Sequence, residues 1–201
     1  MQTVKRNGRS LVVVAGLCCL ASAGGRSAHA QGNGPVVQNE PRAMARVVFF
    51  GNAGFAGEYA IEYGKPAWKA EYDKDFAKFT RGKRHRLGKD WWTTLNTYCA
   101  LTFDRVELKA GEYFLALECT DKGEWALIAL DPEPIRKSKI DAFSTSTTKS
   151  GTRILLTYEA TKDEAKELSI QFLADDKKPR EQTLEIRFGK HRLTAAFQPK
   201  V

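Results

Sequence analysis

A chain of 201 residues is long enough for one domain with a sizeable core, and 32 Lys and Arg against 24 Asp and Glu give it a formal charge of +8 at pH 7. Lys5, Arg6, Arg9 and Arg26 all fall within the first thirty residues, which contain no acidic residue, so residues 31–201 carry only +4. Nucleic-acid binders show a larger and more clustered excess, and no nucleic-acid partner is expected.

The first thirty residues have the three parts of a secretory signal. Lys5, Arg6 and Arg9 make a positive start, Leu11–Ala23 is apolar, and Ala28-His29-Ala30 offers small residues at the cleavage positions Ala28 and Ala30. The apolar stretch is shorter than the roughly 20 residues a membrane-spanning helix needs, so no span is expected after processing. Lipid attachment at Cys18 or Cys19 is disfavoured, because Leu17 and Cys18 stand where lipoprotein processing wants a small residue. The expectation is an exported protein, periplasmic or secreted, with residues 31–44 as a flexible polar leader and 45–201 as a single domain.

Period-two alternation dominates the domain. Tyr59/Ile61/Tyr63, Trp68/Ala70/Tyr72, Leu95/Thr97/Cys99/Leu101/Phe103 and Tyr113/Leu115/Leu117/Cys119 each put apolar residues on one strand face. Ile154/Leu156/Tyr158, Leu168/Ile170/Phe172, Leu184/Ile186/Phe188 and Leu193/Ala195/Phe197 continue the pattern, with turn signals between runs at 109–112, 121–123, 175–179 and 189–190. Residues 73–80 fit about two helical turns with Phe76 and Phe79 inward. Residues 132–142 fit a short helix capped by Asp131, with Pro132 at its first position. The predicted fold is all-β: an antiparallel, jelly-roll-like β-sandwich with one or two short helices.

Several features carry chemistry, each with a plainer alternative. If the chain reverses near Leu108–Gly111, Cys99 and Cys119 face each other on the apolar side of neighbouring strands, within reach of a disulfide; otherwise they are buried thiols packing as small hydrophobes. Trp92 shares parity with Thr94, Asn96 and Tyr98, and Phe114 on the next strand extends this stripe of rings, hydroxyls and amides. Such a stripe suits a polar, ring-shaped ligand, unless a helix or loop packs over it. By the same parity Trp91 is expected in the core, as is Trp125. The basic run Arg81–Lys89 either docks an anionic polymer or is a solvated loop, with Asp73, Asp75 and Asp90 close enough in sequence to neutralise part of it.

Support for catalysis is thin. His85 and His191 are the only histidines of residues 31–201, and no Gly-x-Ser-x-Gly, His-Glu-x-x-His or phosphate-cradling glycine loop is present. His191, beside Gly189-Lys190, has the setting of a surface or capping residue.

Five stretches in order resemble the bacterial family known as domain of unknown function 2911: Ile61–Pro66, Arg86–Thr97, Leu108–Tyr113, Glu124–Ile128 and Phe188–Leu193. Asp90-Trp91-Trp92-Thr93-Thr94 replaces the family's more usual Ala-Asn-Glu-Ala-Thr and marks a divergent branch. The resemblance implies an exported β-sandwich and supplies no reaction. The expected function is a non-catalytic envelope or secreted binding module for carbohydrate or another envelope polymer, needing no cofactor. The alternatives are a metal-assisted hydrolase using His85 and His191 with acidic residues, or a structural module for a protein partner.

Overall fold

The alternating runs close into two layers of antiparallel strands joined at their corners by strands long enough to belong to both. The computed structural model describes residues 41–201; the signal with Ala28 and Ala30, and the leader up to residue 40, lie outside them. The described residues open with β1 (Ala43–Gly51) and β2 (Gly54–Tyr63), a hairpin whose first strand begins two residues before the expected domain start. Two short helices follow, α1 (Glu71–Lys74) and α2 (Phe76–Thr80), and then β3 (Lys83–Arg86) and β4 (Thr93–Thr97). β5 (Ala100–Phe103), β6 (Val106–Leu108), β7 (Gly111–Cys119) and β8 (Trp125–Leu130) lead to helix α3 (Pro132–Lys137). A 3-10 segment, Ala142–Thr147, precedes the long pair β9 (Thr152–Asp175) and β10 (Lys178–Lys200).

One layer runs β1-β2-β4-β7-β8 and onto the first residues of β9; the other runs β9-β10-β5-β6. β3 and β4 lie end to end along the same edge of β7, separated by residues 87–92. Between the layers sits the main core. Ile61, Leu115 and Leu127 meet Ile170, Leu184 and Ile186 there, each burial contributing roughly 1.5–3 kcal/mol. Tyr59, 0 % exposed, stands edge-on to Phe172 and Phe197, and its hydroxyl donates to the buried Gln182 Oε1, joining the layers through a polar contact.

A second, smaller core lies on the outer face of β7 and β8, where Ile135 of α3 packs on Phe114, Ala116, Ile128 and Leu130. β8 is therefore buried on both faces and shows no alternation. α3 starts as expected, with Asp131 Oδ1 accepting from the Glu133 N–H at 2.9 Å and Pro132 in the first turn, but it stops at Lys137 rather than 142.

Several expectations are corrected. The run from Leu95 to Phe103 is two strands, because the chain turns at the exposed Tyr98 and crosses from β4 in one layer to β5 in the other. That crossing also separates the cysteines: Thr97 faces Gly111 while Cys119 faces Trp125, and both Cys99 and Cys119 are free, buried thiols. Trp68, Ala70 and Tyr72 form no strand; Tyr72 is in α1. Phe76 packs inward as expected, but Phe79 is 52 % exposed. Trp91 is 40 % exposed rather than core, since Asp90 takes φ +64° and strand parity starts only at Thr93. The basic run contains a strand, β3, instead of being a loop throughout.

Candidate active-end cavity

The residues after β2 build one end of the sandwich into a cavity. Pro66–Trp68 runs beside β9: the Trp68 N–H donates to Lys166 O at 2.7 Å and the Leu168 N–H donates to Pro66 O at 3.0 Å. This fixes the Trp68 indole over β10 at Gly189, where the β9–β10 register shifts and φ is +61°. Trp68 there meets Phe188 edge-on at 4.8 Å, Tyr72 at 5.4 Å and His191 at 5.4 Å between ring centroids.

His191 is the inner end of this cluster, far from a surface or capping role. Its ring lies flat on Phe76, with centroids 3.5 Å apart and planes 5° apart, and its side chain is 14 % exposed. The Tyr158 hydroxyl and Nδ1 are 3.0 Å apart. Nε2 lies 3.7 Å from Asp73 Oδ1, beyond hydrogen-bond reach, and like Trp68 Nε1 it has no hydrogen-bond partner among the described residues. Burial pushes the imidazole below its ordinary value against the opposing pull of Asp73.

The opposite wall comes from β3 and the segment after it. His85, also pushed down by burial, has Nε2 3.3 Å from Thr80 O, the nitrogen donating in the tautomer this contact requires. With Leu117, Trp125, Leu168, Ile186, Phe188 and Leu193 behind them, these groups enclose about 610 Å3, lined mainly by apolar and aromatic side chains. Glu71 of α1, Asp75 between α1 and α2, and Arg86 of β3 supply charges on its wall.

Both histidines are more stable neutral in the folded chain than in the unfolded one, and this fixes a sign. An imidazole with a depressed folded value adds stability that is complete above the ordinary value of about 6.5 and is lost as the pH falls through it, because the unfolded chain takes up the proton first. Urea midpoints are therefore expected to fall between pH 7.5 and 5.5, and to fall less in a His85→Gln/His191→Gln variant. A parent midpoint that stays level or rises over that interval would contradict the assignment.

The sequence-predicted stripe does not form one surface. Trp92 and Phe114 do stack, at 5.1 Å and 5°, but α3 and Ile140 cover them; Trp92 Nε1 donates to Ile140 O at 3.3 Å and the Arg136 guanidinium sits 5.1 Å from the Phe114 centroid. Asn96 and Tyr98 stay exposed elsewhere, beside Met44, Arg46 and Glu58 in a shallow groove of about 440 Å3, with Tyr98 68 % exposed against Phe55. The basic run is partly neutralised by a residue outside it, Glu118, which takes both Arg84 at 2.8 Å and Arg153. His85 and His191 do come to one cavity, yet among the described residues no group of three His, Cys, Asp or Glu side chains is placed to hold a metal ion.

Trp68, Tyr72, Phe76, Trp125 and Phe188 are the cavity residues that the alternation pattern left unassigned to any site. A signal existed: Trp68, Tyr72 and Phe76 recur every four residues, a helical spacing that competes with the strand pattern in the same segment. Comparisons with protein-family models, with curated proteins and with solved structures find no match to this chain, which leaves the geometry above as the ground for function.

Proposed function

We propose that the protein is a non-catalytic binding module, exported by the signal at 1–30, that holds a small ligand with a flat apolar body in the cavity between α1–α2 and the sandwich. The observation that carries this is the cavity itself: about 610 Å3, walled by aromatic rings from five separate segments and large enough for a drug-sized molecule. A saccharide is the weaker ligand class here, because its many hydroxyls would need polar partners that this wall seldom provides. Hydrolysis also has less support than binding. His191 places Nδ1 against Tyr158 and His85 places Nε2 against Thr80 O, so one nitrogen of each ring is already engaged within the protein.

A neutral dye that fluoresces in apolar surroundings, N-phenyl-1-naphthylamine, tests the site. Saturable binding is expected, and Phe79→Ser should weaken it about tenfold, a loss of about 1.4 kcal/mol. Because Phe79 is largely exposed, the stability read from urea unfolding should hold to within about 0.5 kcal/mol. Tyr98→Ser serves as the control for the other groove. If it weakened the dye and Phe79→Ser did not, the ligand face would lie at Asn96 and Tyr98 instead. The saccharide reading would then return.

A further inference from the structure

The cavity wall is not electrically neutral, and the imbalance names a ligand chemistry. Of the groups on it, the two imidazoles are uncharged near pH 7, for the burial reason given above. Arg86 is the one cation on it among the described residues, but its guanidinium is drawn onto Phe143, 4.1 Å from that ring's centroid, and towards Asp90 O at 3.5 Å, on the side of a neighbouring groove. Two carboxylates remain. Asp75, between α1 and α2, enters no ion pair among the described residues, and Glu71 has only Lys69 at 3.8 Å, with both side chains more than half exposed. Such an exposed pair cancels little of the carboxylate's field. Lys74 and Lys78 share the two helices but do not line the cavity.

The same two helices carry aromatic rings that line the cavity together with these carboxylates. Tyr72, Phe76 and Phe79 lie within one or a few residues of Glu71 and Asp75, and Trp68 and Trp125 complete the wall. Aromatic faces attract cations through the negative potential above the ring, most strongly at Trp, and a box of them with carboxylates at its rim selects an organic cation over an anion. Strongly hydrated inorganic ions gain little there, since the apolar wall cannot replace their water.

We infer that the ligand of this cavity is an organic cation, an alkyl- or arylammonium whose apolar body lies among Trp68, Phe76 and Trp125 while its ammonium group faces Glu71 and Asp75. This rests on the cavity being the ligand site. No bond is made or broken; the ligand is held and released unchanged.

Three probes of nearly one shape separate the possibilities: (2-naphthylmethyl)trimethylammonium, its uncharged carbon isostere 2-neopentylnaphthalene, and 2-naphthylmethanesulfonate. Each is scored by displacement of N-phenyl-1-naphthylamine from the folded protein. The ammonium is expected to bind at least tenfold more tightly than the isostere, and the sulfonate more weakly than both. Glu71→Gln/Asp75→Asn, at exposed positions where folding is not at stake, should reduce the ammonium's advantage to threefold or less and leave the isostere's affinity unchanged. Raised salt should weaken the ammonium alone. If the isostere bound as tightly as the ammonium, or the double variant kept the full preference, the cation assignment would be overturned while dye binding kept the cavity as the ligand site. Absence of saturable binding by every probe, the dye included, would remove both.

Discussion

Gly189→Ala is expected to destabilise the protein by roughly 2–5 kcal/mol, as the sum of two separable costs. The first is conformational: φ at Gly189 is +61°, a region that costs a residue with a Cβ about 1–2 kcal/mol. The second is steric. A Cβ at this position would overlap Trp68 Cδ2 and Cε2 and lie 2.6 Å from Cζ2, and forcing a rigid ring out of a packed site costs about 1–3 kcal/mol. The two are told apart in a Trp68→Ala background, where the steric part vanishes and Gly189→Ala should cost only the conformational part. Asn, which tolerates this backbone region, should there be better than Ala. Equal costs in both backgrounds, read from urea unfolding, would mean that Gly189 does not seat Trp68. The expected result ties the register shift in β10 to the cavity: the bulge exists where a bare backbone is needed beneath an indole.

How far the sequence reveals this arrangement depends on which physical constraint each segment obeys. Tyr59, Ile61 and Tyr63 alternate because β2 has one face on the core, and the same holds for Leu184 and Ile186 and for Leu193, Ala195 and Phe197 on β10; these strands and the antiparallel sandwich were legible. Corners were not. Leu95, Thr97, Cys99, Leu101 and Phe103 are all buried although the chain changes layers between Thr97 and Ala100, because the inward parity carries through the turn. A pattern that records only inward and outward cannot register that change of sheet, and the supposed Cys99–Cys119 pairing failed on it.

The reverse error occurs at Gly189-Lys190. Glycine and a charge read as a turn, yet β10 continues through them as a bulged strand, since a shift of register needs the same residues as a reversal. The cavity was the least legible feature. Its walls come from α1, α2, β3, β7, β8, β9 and β10, and only the mutual approach of these elements makes an enclosed volume. His85 and His191 were visible as the two histidines of the domain, but their meeting in one cavity depends on β3 pairing with β7 and on the course of β10. Trp92, just before β4, does stack on Phe114 of β7, but the covering of these rings by Ile135 of α3 and by Ile140 beyond that helix has no signal in the sequence that says where they dock.

Trp125→Ala should have the largest effect on stability, about 3–5 kcal/mol, the range for truncating a large buried aromatic. Trp125 is 7 % exposed at the start of β8, where its backbone pairs with Cys119 on one side and Leu156 on the other. Its ring lies nearly parallel to Phe76 at 5.9 Å and to Tyr158 at 6.4 Å, and it belongs to the main core while also lining the cavity, so it stands between the two. Removing it joins the new void to the cavity that is already there, and the surroundings cannot collapse onto both. A domain of this size typically has 5–15 kcal/mol to lose, so the variant should fold at low temperature with a much reduced urea midpoint. Trp125→Phe keeps a ring between Phe76 and Tyr158 and should cost far less. The two variants should also differ in binding: Phe leaves the shape of the cavity nearly intact and preserves affinity for the neutral dye, whereas Ala widens it and loses ring contact. Loss of stability below about 1 kcal/mol in Trp125→Ala would mean that the indole is not the partition between core and cavity, and the aromatic wall on which the ligand proposal stands would lose its central member.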